Sequence, residues 1–273
     1  EDLPLVVTAI DEPLPPAPYD GLTEVNQFGA LPVIGKNNLT PFKAYQKPFV
    51  PDIKKPAIAI GVSGIGMSQN LYEGVFDKLV PSVSIILSPY VDDVDDVQKA
   101  ARAKGYETWL NLPLETKRFP YEDPGSLGIL AKAGLKFNQD NLRRVLSTTS
   151  GYAGIAAYTD SAFLDAKPML SGILSDVMLR GLGVFEMNTA RDAMSLNLAI
   201  ANRSPHVAAS VKAEDKSLEQ SFADLKNTAP RDRRAAGGIE VSPAMLSSFQ
   251  EQIAKARQEG FEIVPLSTLA DEF

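Results

Sequence analysis

From Pro56 onward the chain alternates short apolar runs with amphipathic segments, and this alternation restricts it to a mostly parallel sheet whose strands are joined by helices. Strands are expected over 57–62, 82–88, 107–112, 152–158, 183–187, 206–211, 235–241 and 262–266. Helices fit between them, over 70–79, 92–104, 138–149, 165–180, 190–202, 214–227 and 244–259. Eight strands with intervening helices predict an α/β chain closed into a (β/α) barrel, and 273 residues suffice for one. Asn138 and Asp165 stand at expected helix starts, the latter with Pro168 in the first turn. Gly105, Gly151, Gly181 and Gly260 each follow an expected helix and suit the left-handed position that ends one.

Residues 1–55 read as a separate segment from the barrel of 56–273. They contain nine of the twenty prolines, with Pro13, Pro15, Pro16 and Pro18 nearly consecutive, so extended, polyproline-like chain is expected. Phe42, Tyr45 and Phe49, spaced three and four apart, predict a helical turn against the barrel wall. An ordered strap is expected after about residue 28, and disorder or partner-dependent order before it. Of the net charge of −7, six negative charges (Glu1, Asp2, Asp11, Glu12, Asp20, Glu24) lie within residues 1–30, which hold no Lys or Arg. The remainder is near neutral, which argues against a nucleic-acid partner.

The chain has no cysteine, which excludes disulfides and thiolate metal sites but fits either a reducing or an oxidising compartment. No apolar run reaches the roughly 18 residues of a membrane span. The sequence begins at Glu1 rather than Met, which leaves room for an upstream signal or membrane tether.

In a parallel barrel the chemistry gathers just beyond the C-terminal ends of the strands. There the sequence offers Ser63, Asn111, Glu115, Tyr158, Asp160, Glu186, Asn188 and Glu240, which are expected to form one cleft. The single histidine, His206, follows Ser204-Pro205 at a strand start and reads as structural. Trp109, within the third strand, reads as core. Gly61-Val-Ser-Gly-Ile-Gly66 has neither the dinucleotide fingerprint nor the phosphate-loop lysine, and reads as a tight turn. Arg231-Asp-Arg-Arg234 reads as a solvated loop, and Ser63 has no evident base with which to act as a nucleophile.

Several segments occur in a telling order: Ala57-Ile-Ala-Ile-Gly-Val-Ser-Gly-Ile-Gly-Met-Ser68, Asn111-Leu-Pro-Leu-Glu115 with Asp123-Pro-Gly125, and Gly151-Tyr-Ala-Gly-Ile-Ala-Ala-Tyr-Thr-Asp-Ser-Ala-Phe163. Gly181-Leu-Gly-Val-Phe-Glu-Met-Asn-Thr189 and Phe261-Glu-Ile-Val-Pro-Leu-Ser-Thr-Leu269 follow. Together they resemble the divergent polysaccharide deacetylase family, bacterial envelope proteins distantly related to chitooligosaccharide deacetylases. The resemblance implies a distorted (β/α) barrel of the glycoside hydrolase/deacetylase type, in a seven-strand variety. It also implies a divalent metal held by Asp and His, and here the chain departs from the pattern.

Where the family ends its first strand in a base and a ligand, both Asp, this chain has Ser63 and Gly64. The His of His-Leu-Pro-Met-Glu becomes Asn111, and Glu115 is retained. The His after the fourth strand becomes Tyr158, the fifth-strand Asp becomes Glu186, and a Gly-His-Pro segment falls near Glu240. Activating water for amide hydrolysis requires a metal and a positioned base, and these substitutions remove the usual ligands. The expectation is a catalytically silent envelope protein with no metal or other cofactor. Its former active-site cleft is expected to bind a glycan strand or an envelope protein partner in peptidoglycan remodelling, in the periplasm or anchored facing it. The alternative is an active carbohydrate N-deacetylase with a divalent cation held by Glu186 and Glu240, joined by Asp160 and Glu115.

Overall fold

The computed structural model describes residues 12–65, 72–159, 161–189, 194–211 and 216–273. An N-terminal strap contains the antiparallel strands β1 (Thr23–Asn26) and β2 (Gly29–Pro32) and a short helix, α1 (Pro41–Tyr45). Then follow β3 (Ala57–Ser63), α2 (Tyr72–Phe76), β4 (Ser84–Leu87), α3 (Val94–Ala103), β5 (Thr108–Asn111), α4 (Leu135–Leu146) and β6 (Gly154–Ala157). The chain continues through α5 (Lys167–Leu179), β7 (Gly183–Glu186), α6 (Met194–Asn202), β8 (His206–Ala208), α7 (Leu218–Asp232), β9 (Arg234–Glu240), α8 (Leu246–Gln258) and β10 (Glu262–Val264).

All eight strands from β3 onward are parallel and form one curled sheet. The path runs β9, β3, β4, β5, β6, β7, β8, and β10 pairs with the first half of β3, below the place where β4 pairs with its second half. The curl returns on itself at Ser210, whose N–H donates to the Ala236 carbonyl (2.8 Å) and whose Oγ accepts from the Ala236 N–H (3.1 Å). Lower in that seam the C-terminal chain substitutes for a strand: His206 and Asp271 exchange backbone hydrogen bonds (3.0 and 2.9 Å). Arg234 also grips the Asp271 carboxylate with two N–H groups (2.9 and 3.0 Å). The expected distorted barrel is the fold observed.

The sequence of β3 shows how the two sides of the sheet divide. Ile58, Ile60 and Val62 face the helices, while Ala57 and Ala59 face the barrel interior. Both faces are buried, hence the nearly continuous apolar run. The interior is narrow and is filled by a few large rings set against small residues. Trp109 is completely buried, edge-on to Phe42 (centroids 6.3 Å apart) and Phe185 (6.4 Å). Room for the indole comes from Gly154, where a Cβ would lie 2.5 Å from its ring and 2.3 Å from the Gly183 carbonyl oxygen.

Phe42 reaches this interior from α1, so the strap closes the N-terminal end of the barrel. Arg102 anchors it: the buried guanidinium donates to the carbonyls of Pro15 (2.9 Å), Tyr45 (3.2 Å) and Gly151 (3.1 Å). Burial lowers the pKa of Arg102, and the three carbonyl acceptors offset part of the desolvation cost. The strap lies so close that a Cβ on Gly151, already at φ +99°, would be 2.4 Å from that of Ala17. Gly105, Gly181 and Gly260 also take positive φ, as expected from their places after helices.

Three local expectations need correction. The strap is not extended throughout its first half, because residues 23–32 form a hairpin and the chain is already bonded to the barrel at Leu14, whose N–H donates to the Arg102 carbonyl (2.8 Å). Asn138 does not cap α4, which starts three residues earlier; its amide instead binds both backbone groups of Leu130 (2.9 and 2.8 Å). Asp165 does not cap α5 either, since it belongs to a 3-10 turn over Ser161–Ala166 that leads into the helix. Ser217 and Gln220 do form a reciprocal capping box at α7.

Candidate functional site

The mouth at the C-terminal ends of the strands is built by alternation. Residues two apart share a face, so the inward series of β3 (Ala57, Ala59, Gly61) delivers Ser63 to the inner rim. By the same rule Ala236 and Gly238 deliver Glu240, Trp109 delivers Asn111, and Ala156 delivers Tyr158. Ser63 and Glu240 are register partners on adjacent strands. Asn111 lies two strands farther round, roughly 10 Å from Ser63 at about 5 Å per strand. The Ser63 hydroxyl and Asn111 amide are partly exposed and the Glu240 carboxylate is exposed. None of the three has a side-chain hydrogen-bond partner among the described residues. Tyr158 is partly exposed and packs against the interior cluster.

The other expected cleft residues are engaged elsewhere. Glu186 ends β7 on the opposite face, in line with Val184 and beneath α6, where it is 3% exposed. Its carboxylate accepts from the hydroxyls of Thr159 and Ser195, and His206 Nε2 lies 3.6 Å away. It is therefore not an inner-rim residue, and it does not converge with Glu240, which stands on the other face of the sheet. Asn188 accepts the Thr159 N–H on its amide oxygen (2.7 Å), joining the chain beyond β7 to that beyond β6. Glu115 accepts the Ala131 N–H (2.9 Å) and braces the connection that follows β5. Asp160 lies outside the described residues.

Ser195, His206 and Glu186 were not expected as a cluster, because they come from three separate elements and no sequence spacing links them. Ser195 Oγ is 3.1 Å from His206 Nε2, a distance found in serine nucleophiles. Here the acid approaches the same ring nitrogen as the serine, rather than orienting the ring from Nδ1, and all three side chains are buried. The cluster fastens α6 and β8 to the end of β7, and His206 is structural as expected.

The chemistry of the rim follows from its donors. Ser63, Asn111 and Tyr158 are neutral oxygen and nitrogen groups, and Glu240 is the sole carboxylate among the four. Zinc sites use imidazole, thiolate and carboxylate, so this set does not fit a zinc ion. Among the described residues no three His, Asp or Glu side chains converge in a way that could hold any metal. Gly64, at φ +85°, adds a steric constraint: a Cβ there would sit 2.9 Å from the Val241 carbonyl oxygen and 3.2 Å from Glu240 Cγ. Such a rim can accept hydrogen bonds from, and donate them to, hydroxyl and amide groups.

A family model described as divergent polysaccharide deacetylase matches residues 60–270. Among solved structures, the uncharacterized protein ATU2773 from Agrobacterium tumefaciens C58 is 28% identical, with a TM-score of 0.80 over 88% of this chain and 99% of that one. A xylose isomerase domain protein from Planctomyces limnophilus is 11% identical over 75% of this chain and 95% of that one, at a TM-score of 0.38, which is too slight to carry an argument. No curated protein matches.

Proposed function

The chain belongs to the divergent polysaccharide deacetylase family, and from that premise we propose that it is a catalytically silent member whose barrel mouth binds a glycan strand. The observation that carries the proposal is the state of the inner rim. Ser63, Asn111 and Glu240 stand without side-chain partners among the described residues, next to Tyr158. A hydroxyl, an amide, a phenol and one carboxylate are groups that recognise sugar hydroxyls and acetamido groups. Deacetylation would require in addition a metal-activated water, for which this rim has no fitting ligand set.

The proposal includes a periplasmic location, tethered or exported, and a role in peptidoglycan remodelling; both rest on the family resemblance. Titration of the full chain with acetylated chitooligosaccharides or peptidoglycan fragments tests the mouth. Asn111→Ala and Glu240→Gln are each expected to weaken binding by about tenfold, the worth of one or two hydrogen bonds, with the unfolding transition unchanged. Wild-type affinity in both variants would move the binding site away from the mouth. Acetate release that needs added Zn²⁺, Co²⁺, Mn²⁺ or Mg²⁺ and is lost in Glu240→Gln would instead establish the active enzyme.

A further inference from the structure

The connection between β5 and α4, residues 112–134, contains no strand or helix longer than a single bridge, yet it is fastened along its whole length. Leu114 and Ile129 form a parallel bridge, and Glu115 takes the N–H of Ala131. Asn141, from α4, donates to the Gly128 carbonyl (2.9 Å). From the neighbouring loop after β4, the Tyr90 hydroxyl donates to the Pro124 carbonyl (2.6 Å) and accepts from the Leu127 N–H (2.9 Å). Burial raises the pKa of this phenol, so it remains a donor, and the chain passes so close that a Cβ on Gly125 would lie 2.7 Å from its oxygen. Nearer the tip, Thr116 donates to Glu122 (2.8 Å) and Arg118 pairs with the same carboxylate (3.0 Å).

At the tip of this fixed loop Tyr121 is 93% exposed, with Phe119 41% exposed beside it. A loop that needed only to join β5 to α4 could be shorter, and an aromatic ring left in water contributes nothing to folding. We propose that the loop is a preformed stacking platform for a sugar ring of a glycan whose other end lies at the mouth, with Tyr121 as the contact. This rests on the glycan-binding reading of the mouth. Two observations favour a sugar over an apolar protein surface. Besides Phe119 and Pro120, the exposed neighbours of Tyr121 in the loop are Lys117, Arg118, Glu122 and Asp123, which can bond sugar hydroxyls. The platform also follows directly on the C-terminal end of β5, the strand that places Asn111 on the rim. A pyranose offers C–H groups to an aromatic face and hydroxyls to its polar neighbours, and a loop backbone that is already fastened adds little ordering entropy on binding.

The test uses the full chain, fully acetylated chitooligosaccharides of two and six sugars, and the variants Tyr121→Ala and Tyr121→Trp. Tyr121→Ala is expected to weaken the hexamer about fivefold and to change the dimer by less than about twofold, with Tyr121→Trp restoring the hexamer. Wild-type binding of both sugars with no loss of hexamer affinity in Tyr121→Ala would overturn the platform and leave the mouth reading intact. Failure of the wild type to bind either sugar would remove the mouth reading and the platform with it.

Discussion

At the residue scale, one carboxylate organises the closed end of the barrel. Glu107 is completely buried just before β5 and accepts from the Lys47 N–H (2.9 Å), Ser84 Oγ (2.8 Å), Trp109 Nε1 (2.7 Å), the Ser267 N–H (3.1 Å) and the Ser267 hydroxyl. It thereby joins the strap, β4, β5 and the C-terminal turn. Replacing it with Gln puts an NH₂ donor where donors already converge, so Glu107→Gln is expected to cost about 3 kcal/mol, read from urea unfolding. A change below about 0.5 kcal/mol would contradict this role. Gly64 limits the mouth in a different way. Rebuilding a metal centre by placing Asp at Ser63 and Gly64 and His at Tyr158 meets a left-handed backbone and a carbonyl 2.9 Å from the new Cβ, so replacing side chains without moving the chain does not restore the site.

At the scale of elements, the strap is part of the fold's closure. Its first turns hang on Arg102, and Phe42 is the ring by which it enters the interior. Arg102→Met removes three hydrogen bonds while keeping most of the apolar stem, so the strap should open locally while the barrel stays folded. Limited proteolysis is expected to cut within residues 12–49 at least about tenfold faster than in the wild type. Cleavage within the barrel at the same rate would show instead that Arg102 supports the whole core. These attachments were not legible in the sequence. The polyproline reading of residues 1–55 rests on a real constraint, since Pro cannot enter a helix interior or a central strand. The β1/β2 hairpin runs from Thr23 to Pro32, and neither its half-exposed first strand nor its second, in which only Leu31 and Pro32 are buried, carries an apolar alternation to announce it.

At the scale of the molecule, strands such as β3, β4 and β6 were legible because they are buried on both faces and read as short, mostly apolar runs. The mouth was legible in part. Ser63, Asn111, Tyr158 and Glu240 fall on the inner rim because they continue inward-facing series along their strands. Glu186 is one residue out of phase with Phe185, so it faces the helices, and its partners Ser195 and His206 come from elements that sequence spacing cannot bring together. Tyr121 left one trace in the sequence, a connection after β5 too long for a simple turn.

The central claim, that the mouth holds a glycan and leaves it intact, is tested most directly by following the acetyl methyl signals of fully acetylated chitohexaose by proton NMR. The protein is mixed with the sugar and with Zn²⁺, Co²⁺ or Mg²⁺ in turn, each spectrum referred to the same metal without protein. The account predicts protein-dependent broadening or shifts of the bound sugar's signals and no free acetate over many hours. A free-acetate signal that grows in proportion to protein and vanishes in Glu240→Gln would contradict it.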